Sequence, residues 1–345
     1  MFKIIFVLIG TFVGAGFASG KEIFNFFTCY SFYGIISIFI FSLLLFLLIY
    51  KCLNIKTNLK LKSYNEFIFY LEKKYKFFNH KFFLFIINIF LASSFYIMTN
   101  AFASLFDYQF NIAKIFTINV TIFICFFIFY KKNINFIYII NSILMPILIL
   151  FVVSLCLFNT NLNNININFN EINSNYNIIY AIFMGLLYFS YNSLLLIPII
   201  FDLKTNTNKK DNFKISLIYS FIILLITFLI NLLLLSFYNL IYNLELPILY
   251  ISNSSIKIFS FLYFFIILSA IFTTMISSGY SFINNFNKNN FKIKLIVFLL
   301  FSFVFCFFSF SDLINFFYPI FGLIGFVQIF LILIDKSWKI RLKLI

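Results

Sequence analysis

Charge is scarce in this chain, and so are the residues that do chemistry. Of 345 residues only 10% are charged, and there is one histidine, His80, and one arginine, Arg341. A histidine-based metal or catalytic centre needs several imidazoles or carboxylates converging on one point, and that is excluded. Five cysteines, Cys29, Cys52, Cys125, Cys156 and Cys306, are scattered without metal or redox spacing and read as small apolar packers. No cluster of His, Asp or Glu falls inside an apolar segment, so the chain is not expected to be an enzyme. Long polar stretches are missing too. The chain is 63% hydrophobic, with a mean hydropathy of +1.05, which excludes a soluble domain of this length. The formal charge of +15 sits in short loops and does not indicate nucleic-acid binding. The 59 phenylalanines match AT-rich coding and carry no functional weight.

What is present is a series of apolar segments near the roughly 20 residues a membrane span requires. Ten are read, at about 3–29, 34–52, 82–106, 111–130, 134–158, 177–201, 214–239, 257–284, 291–310 and 313–334. With the N-terminus in the cytoplasm, 22 lysines and arginines fall on the inner side, and only Lys114 and Lys257 fall outside. The positive-inside rule then predicts ten spans with both termini cytoplasmic and an asparagine-rich outer loop, Asn159–Asn177. The expected setting is the plasma membrane, with the lipid bilayer as partner. The longest inner loop carries a capping-box pair, Ser63 and Glu66. After it Tyr64, Phe67, Ile68, Leu71 and Tyr75 follow helical spacing. That predicts a short amphipathic helix at the cytoplasmic interface.

Nine glycines serve the whole chain, and four of them, Gly10, Gly14, Gly16 and Gly20, fall within one span. As a single helix the run from Phe2 to Tyr30 would be about 42 Å long, against a hydrocarbon core of about 30 Å. Each interior glycine also disfavours helix by about 1 kcal/mol relative to alanine. The segment is expected to be two half-helices with a non-helical joint around Val13–Ser19. A joint of that kind survives at membrane depth only where it is buried in protein or lines a cavity. A secretory signal would not be followed at once by Lys21 and Glu22 and by further spans. A carboxylate within a span, here Glu22, is a functional candidate.

Segment 6 is the second irregular span. Gly185, Tyr188, Ser190, Tyr191, Asn192 and Ser193 precede Pro198, and a break around Tyr188–Ser193 is expected. Segments 1 and 6 each open a set of five spans. Paired interruptions at corresponding positions of inverted halves point to a transporter binding site. Segment 3 places Ser93, Tyr96, Asn100 and Ser104 on one face, and segment 8 does the same with Ser269, Thr273, Ser277 and Tyr280. Asn141, Ser142 and Pro146 suggest a kinked segment 5. The fold class expected is an all-α membrane protein of ten helices in a 5+5 inverted repeat with helices 1 and 6 broken. It forms one domain over 1–345, with repeats of about 1–158 and 177–334.

This pattern resembles the LeuT fold of the amino acid–polyamine–organocation superfamily. More narrowly, Gly10-Thr-Phe-Val-Gly-Ala-Gly-Phe-Ala-Ser-Gly-Lys-Glu22 is similar to the N-terminal signature of YkvI-type amino-acid permeases. That signature usually has glutamine where this chain has Lys21. The resemblance implies a Na⁺ site between the span-1 break and span 8. Gly10-x-x-Val13 before Gly14-x-Gly16 and Ala270-x-x-Thr273-Thr274 match the family's ligand patterns. The implied ligands are the carbonyls of Gly10, Val13 and Ala270 and the hydroxyls of Thr273 and Thr274. No organic cofactor is implied. Some members of the family replace this Na⁺ by a lysine in span 5 and couple to protons, and segment 5 here has none.

The function expected is secondary active transport of a small zwitterion such as an amino acid, coupled to Na⁺ and working by alternating access. Substrate would meet the backbone at Ala15, Gly16 and Phe17, with polar groups from Tyr96, Asn100, Tyr188, Ser190 and Asn192. Glu22 and Lys21 are candidates for a gate or a proton carrier. Two alternatives stay open: a non-transporting nutrient or germinant receptor on the same fold, and a proton-coupled permease that uses Glu22.

Overall fold

The apolar run at the start of the chain folds as short pieces rather than one rod. In the computed structural model, which describes residues 1–75, 79–131, 146–156, 177–203, 207–255, 257–284, 291–335 and 337, α1 spans Phe2–Phe12. It ends at Val13. Gly14 is extended and opens α2, Ala15–Ser19, and α3 follows as Lys21–Phe26. Gly20 joins α2 to α3 with φ +82°, a left-handed conformation that favours glycine. A side chain there would also strike Ile248. The glycines thus act at the two points where the helix changes direction.

The remaining helices are α4 (Ser31–Leu59), α5 (Tyr64–Lys74), α6 (His80–Phe110), α7 (Lys114–Lys131) and α8 (Pro146–Cys156). Then come α9 (Ile178–Asp202), α10 (Lys209–Ser236), α11 (Tyr238–Ile241), α12 (Pro247–Ser255) and α13 (Lys257–Asn284). The chain closes with α14 (Phe291–Leu300), α15 (Ser302–Phe305) and α16 (Phe310–Ile334). Among the described residues, six stretches are long and apolar enough to cross a membrane: Lys21–Leu59, His80–Phe110, Ile178–Asp202, Lys209–Ser236, Phe261–Ile283 and Phe310–Ile334. The difference from ten has local causes. Segment 1 is cut by its glycines, and segment 9 is cut at Phe301 between α14 and α15. Segment 4 forms the shorter apolar helix Lys114–Tyr130. Segment 5 is described only over Pro146–Cys156, so Asn141 and Ser142 lie outside the described residues, as does all but the last residue of loop Asn159–Asn177.

Packing pairs recur at a fixed offset. α1 packs on α9, α4 on α10, α6 on α13, and α7 on α14 and α15. In each pair the second partner is the apolar segment five places later. α9 is further clamped between α4 and α16.

The expected break in segment 6 is absent, and this corrects the sequence reading. α9 runs unbroken through Tyr188–Ser193, with Pro198 inside it. The side chains of Ser190, Asn192 and Ser193 are satisfied without opening the helix. Ser193 Oγ donates to the Ser190 carbonyl at 2.6 Å, and Asn192 Nδ2 donates to the Tyr188 carbonyl at 2.9 Å. Ser190 Oγ crosses to the Gly322 carbonyl of α16 at 2.5 Å. Gly322 and Gly325 bring α16 close enough for that bond, and interhelical hydrogen bonding beside small residues is the usual way helices pack in lipid.

The amphipathic helix expected after Ser63 forms as its spacing predicts, but its apolar face meets protein. Ser63 Oγ caps α5 by accepting from the Glu66 amide. Tyr64, Phe67, Ile68 and Leu71 are buried. Phe67 stacks on Phe201 at 3.9 Å, and the Tyr64 hydroxyl accepts from Gln328 at 2.8 Å. The Tyr64 amide donates to Asp202 at 2.8 Å, and Lys74 pairs with Asp335 at 3.0 Å. α5 therefore ties together the ends of α9 and α16.

Candidate functional site

The break after α1 exposes backbone acceptors. The Val13 amide donates back to Ile9, and the Gly14 amide donates to Phe12. Among the described residues no backbone amide donates to the carbonyl of Gly10 or Val13. α13 flanks this joint. A Cβ on Gly14 would sit 3.8 Å from the methyl of Thr274, and the Tyr263 hydroxyl donates to the Ala18 carbonyl. The hydroxyls of Thr273 and Thr274 both turn back to the Ala270 carbonyl, at 3.2 and 2.6 Å. α13 thus meets the joint through Thr274, whose methyl faces Gly14 and whose hydroxyl faces Ala270.

Glu22 lies one turn beyond. It lies in the first turn of α3 and is 3% exposed. Tyr191 of α9 donates its hydroxyl to Glu22 Oε2 at 2.5 Å. The hydroxyls of Tyr188, also on α9, and Tyr318, on α16, turn toward the same carboxylate. Tyr188 is fully buried, yet its hydroxyl completes no well-formed hydrogen bond. The rings build an aromatic wall. Tyr191 stacks on Tyr318 at 4.4 Å, and Tyr188 and Phe26 lie 5.4 and 5.9 Å from Tyr191. A Cβ on Gly16 would overlap the Glu22 carboxylate, so the bare α-carbon there is what seats the acid. Among the described residues no Lys, Arg or His forms an ion pair with Glu22.

Lys21 points elsewhere. Its Nζ donates to the Leu244 carbonyl at 2.9 Å and lies 5.3 Å from the Phe24 ring centroid. Adjacent helical residues do not share a face, so Lys21 and Glu22 diverge.

Of the other expected substrate contacts, Gly16 and Tyr188 lie at Glu22, while Ala15 and Phe17 flank Gly16 on α2. Ser190 and Asn192 spend their polar groups on α9 and α16, as described above. Tyr96 and Asn100 are not brought to the break. Tyr96 donates to the Phe298 carbonyl at 3.1 Å, and Asn100 Nδ2 donates to Phe305 and Phe308 at 2.6 and 2.9 Å. They satisfy carbonyls freed where α14 and α15 end, so the segment-3 stripe serves segment 9. Sequence reasoning missed Tyr191 and Tyr318 as members of the site. Tyr191 stood inside the polar cluster of segment 6, and Tyr318 stood beside Pro319 with no polar neighbour to mark it.

No protein-family model matches the chain, and no curated protein matches it. Solved structures of a manganese transporter from Eremococcus coleocola are similar to it in part. A histidine-to-alanine variant aligns at 14% identity and TM-score 0.46, over 95% of this chain and 69% of that one. A complex of that transporter with an aromatic bis-isothiourea substituted compound aligns at 13% and 0.42 over the same shares. Likeness at this level carries nothing about what this chain binds.

Proposed function

We propose that the chain is a secondary active transporter for a small zwitterion such as an amino acid, coupled to Na⁺. The observation that carries this reading is the interrupted first apolar segment, where the Gly10 and Val13 carbonyls receive no backbone amide and Gly14 lies beside Thr274 of α13. Unsatisfied backbone inside a bilayer is costly, and a bound cation offsets that cost. In this reading Gly10, Val13, Ala270, Thr273 and Thr274 hold Na⁺, and the Thr273 and Thr274 hydroxyls offer it their lone pairs. The five-place packing offset supports two inverted halves of five spans, in which α13 and the movable first span rock against each other. Ion binding would then bias the direction in which the site opens, through its different affinity for the two states.

The test is accumulation of amino acids in proteoliposomes under a Na⁺ gradient, beside thermal stability in Na⁺ and in K⁺. Thr273→Ala and Thr274→Val should each weaken the Na⁺ response about tenfold, equivalent to about 1.4 kcal/mol. By reciprocal linkage, substrate binding in Na⁺ should weaken too. Equal behaviour in Na⁺ and K⁺ refutes the ion assignment. Ligand binding without accumulation would make the chain a receptor.

A second reading is favoured by one observation, the buried Glu22 carboxylate held by Tyr191. There Glu22 carries a proton, and uptake follows the pH gradient and is lost in Glu22→Gln.

A further inference from the structure

We propose that Glu22, with Tyr188, Tyr191 and Tyr318 around it, is the subsite that receives the ammonium group of the transported molecule. This rests on the transporter reading above and names the substrate chemistry that reading leaves open.

Three observations lead there. The carboxylate is 3% exposed and has no ionic partner among the described residues. An ionised group buried in that way calls for a counter-charge. The groups that face it come from α2, which offers Gly16, from α9, which offers Tyr188 and Tyr191, and from α16, which offers Tyr318. α10 and the Thr28–Tyr30 turn also pack on α3. Lys21, its neighbour on α3, sends its charge to Leu244. No cation among the described residues pairs with Glu22, and a bound ammonium would supply that counter-charge.

The wall selects the kind of cation. Phe26, Tyr188, Tyr191 and Tyr318 pack on one another beside the carboxylate, and an aromatic surround suits a desolvated organic cation. An ammonium has three donors and no acceptor. The site matches that set. The acceptors in reach are the Glu22 carboxylate, which already takes the Tyr191 hydroxyl, and the oxygens of Tyr188 and Tyr318 turned toward it. The Tyr188 ring is fully buried and its hydroxyl is turned toward Glu22, so it is a polar group held in place without a partner. A carboxylate ligand would meet a like charge here.

α3 is only six residues long, bounded by left-handed Gly20 on one side and by the Thr28–Tyr30 turn on the other. Admitting a ligand to Glu22 requires this short piece to move away from Gly16.

The test uses the full chain in lipid nanodiscs and three probes small enough for any ammonium site: methylammonium, glycine and acetate at matched ionic strength. Methylammonium and glycine should raise the melting temperature of the wild type, and acetate should not. Glu22→Gln should shift the methylammonium and glycine dose responses at least tenfold, whereas Tyr191→Phe should shift them less than fivefold. If Glu22→Gln does not give a folded protein, Glu22→Asp keeps the charge on a shorter stem and should weaken methylammonium binding without abolishing it. The proposal is overturned if acetate stabilises as well as methylammonium, or if Glu22→Gln keeps wild-type affinity. It is also overturned if Glu22→Asp changes nothing, or if no amine probe stabilises the wild type. Failure of the transporter reading looks different: amines bind through Glu22 but are not accumulated under any ion gradient.

Discussion

The contact between α9 and α16 makes a quantitative demand. At Gly325 an added Cβ would overlap the Ser190 carbonyl oxygen and lie 2.7 Å from Ser190 Oγ and 2.9 Å from its carbonyl carbon. At Gly322 a Cβ would lie 2.9 Å from the Leu187 carbonyl oxygen and 3.2 Å from its Cα. These neighbours are mostly backbone, so no side-chain rotation relieves them. Alanine in place of glycine favours a helix by about 1 kcal/mol, and Gly325→Ala would be stabilising if α16 stood alone. Overpacking costs about 1–3 kcal/mol, and overlap with a main-chain oxygen belongs at the upper end. The expected net effect is a loss of about 2 kcal/mol for Gly325→Ala. Ser190→Ala loses only the bond to Gly322. A hydrogen bond between membrane helices is worth about 0.6 kcal/mol on average. The assay is the surviving monodisperse fraction after heating in one detergent, read by size exclusion. The expected order of stability is wild type, then Ser190→Ala, then Gly325→Ala. Adding Ser190→Ala should not rescue Gly325→Ala, because the carbonyl remains the nearest obstacle. If Gly325→Ala survives heating as well as the wild type, the close approach of α9 and α16 is wrong.

Two further outcomes concern α5 and the topology. Burial raises the Asp335 carboxyl, but hydrogen bonding from Ser337, Lys74 and Tyr70 outweighs that and holds it below the usual aspartate value. A carboxyl depressed in the folded state contributes stability that is present above its unfolded value, about 3.9. That contribution is lost as pH falls through the folded value. Asp335→Asn should remove it at neutral pH and speed hydrogen exchange across Tyr64–Lys74, and unchanged protection there would contradict the tie between α5 and Asp335. A single cysteine introduced as Asn163→Cys should react with a membrane-impermeant maleimide from outside the cell, and labelling from the cytoplasmic side alone would overturn the charge-based topology.

Much of this protein could be read from residue type and spacing alone. Composition and segment length place it in a membrane, because hydrophobic length is a local property that no tertiary contact alters. The glycines of the first span mark its joints for the same reason: backbone freedom belongs to the residue, and Gly20 uses it at φ +82°. The cap at Ser63 is equally local, and it forms at the predicted position. The fate of polar side chains is not local. Ser190 and Asn192 suggested a broken helix, and Tyr96 and Asn100 suggested a shared pocket. Whether a hydroxyl or amide opens a helix, bridges to a neighbour or faces a ligand depends on which carbonyl the packing brings within about 3 Å. For Ser190 that carbonyl is Gly322, and for Asn100 it is Phe305 and Phe308. The surroundings of Glu22 were hidden for the same reason. Tyr318 stands almost 300 residues away in the chain, and only the packing of α3 against α9 and α16 turns an acid and three distant rings into one site.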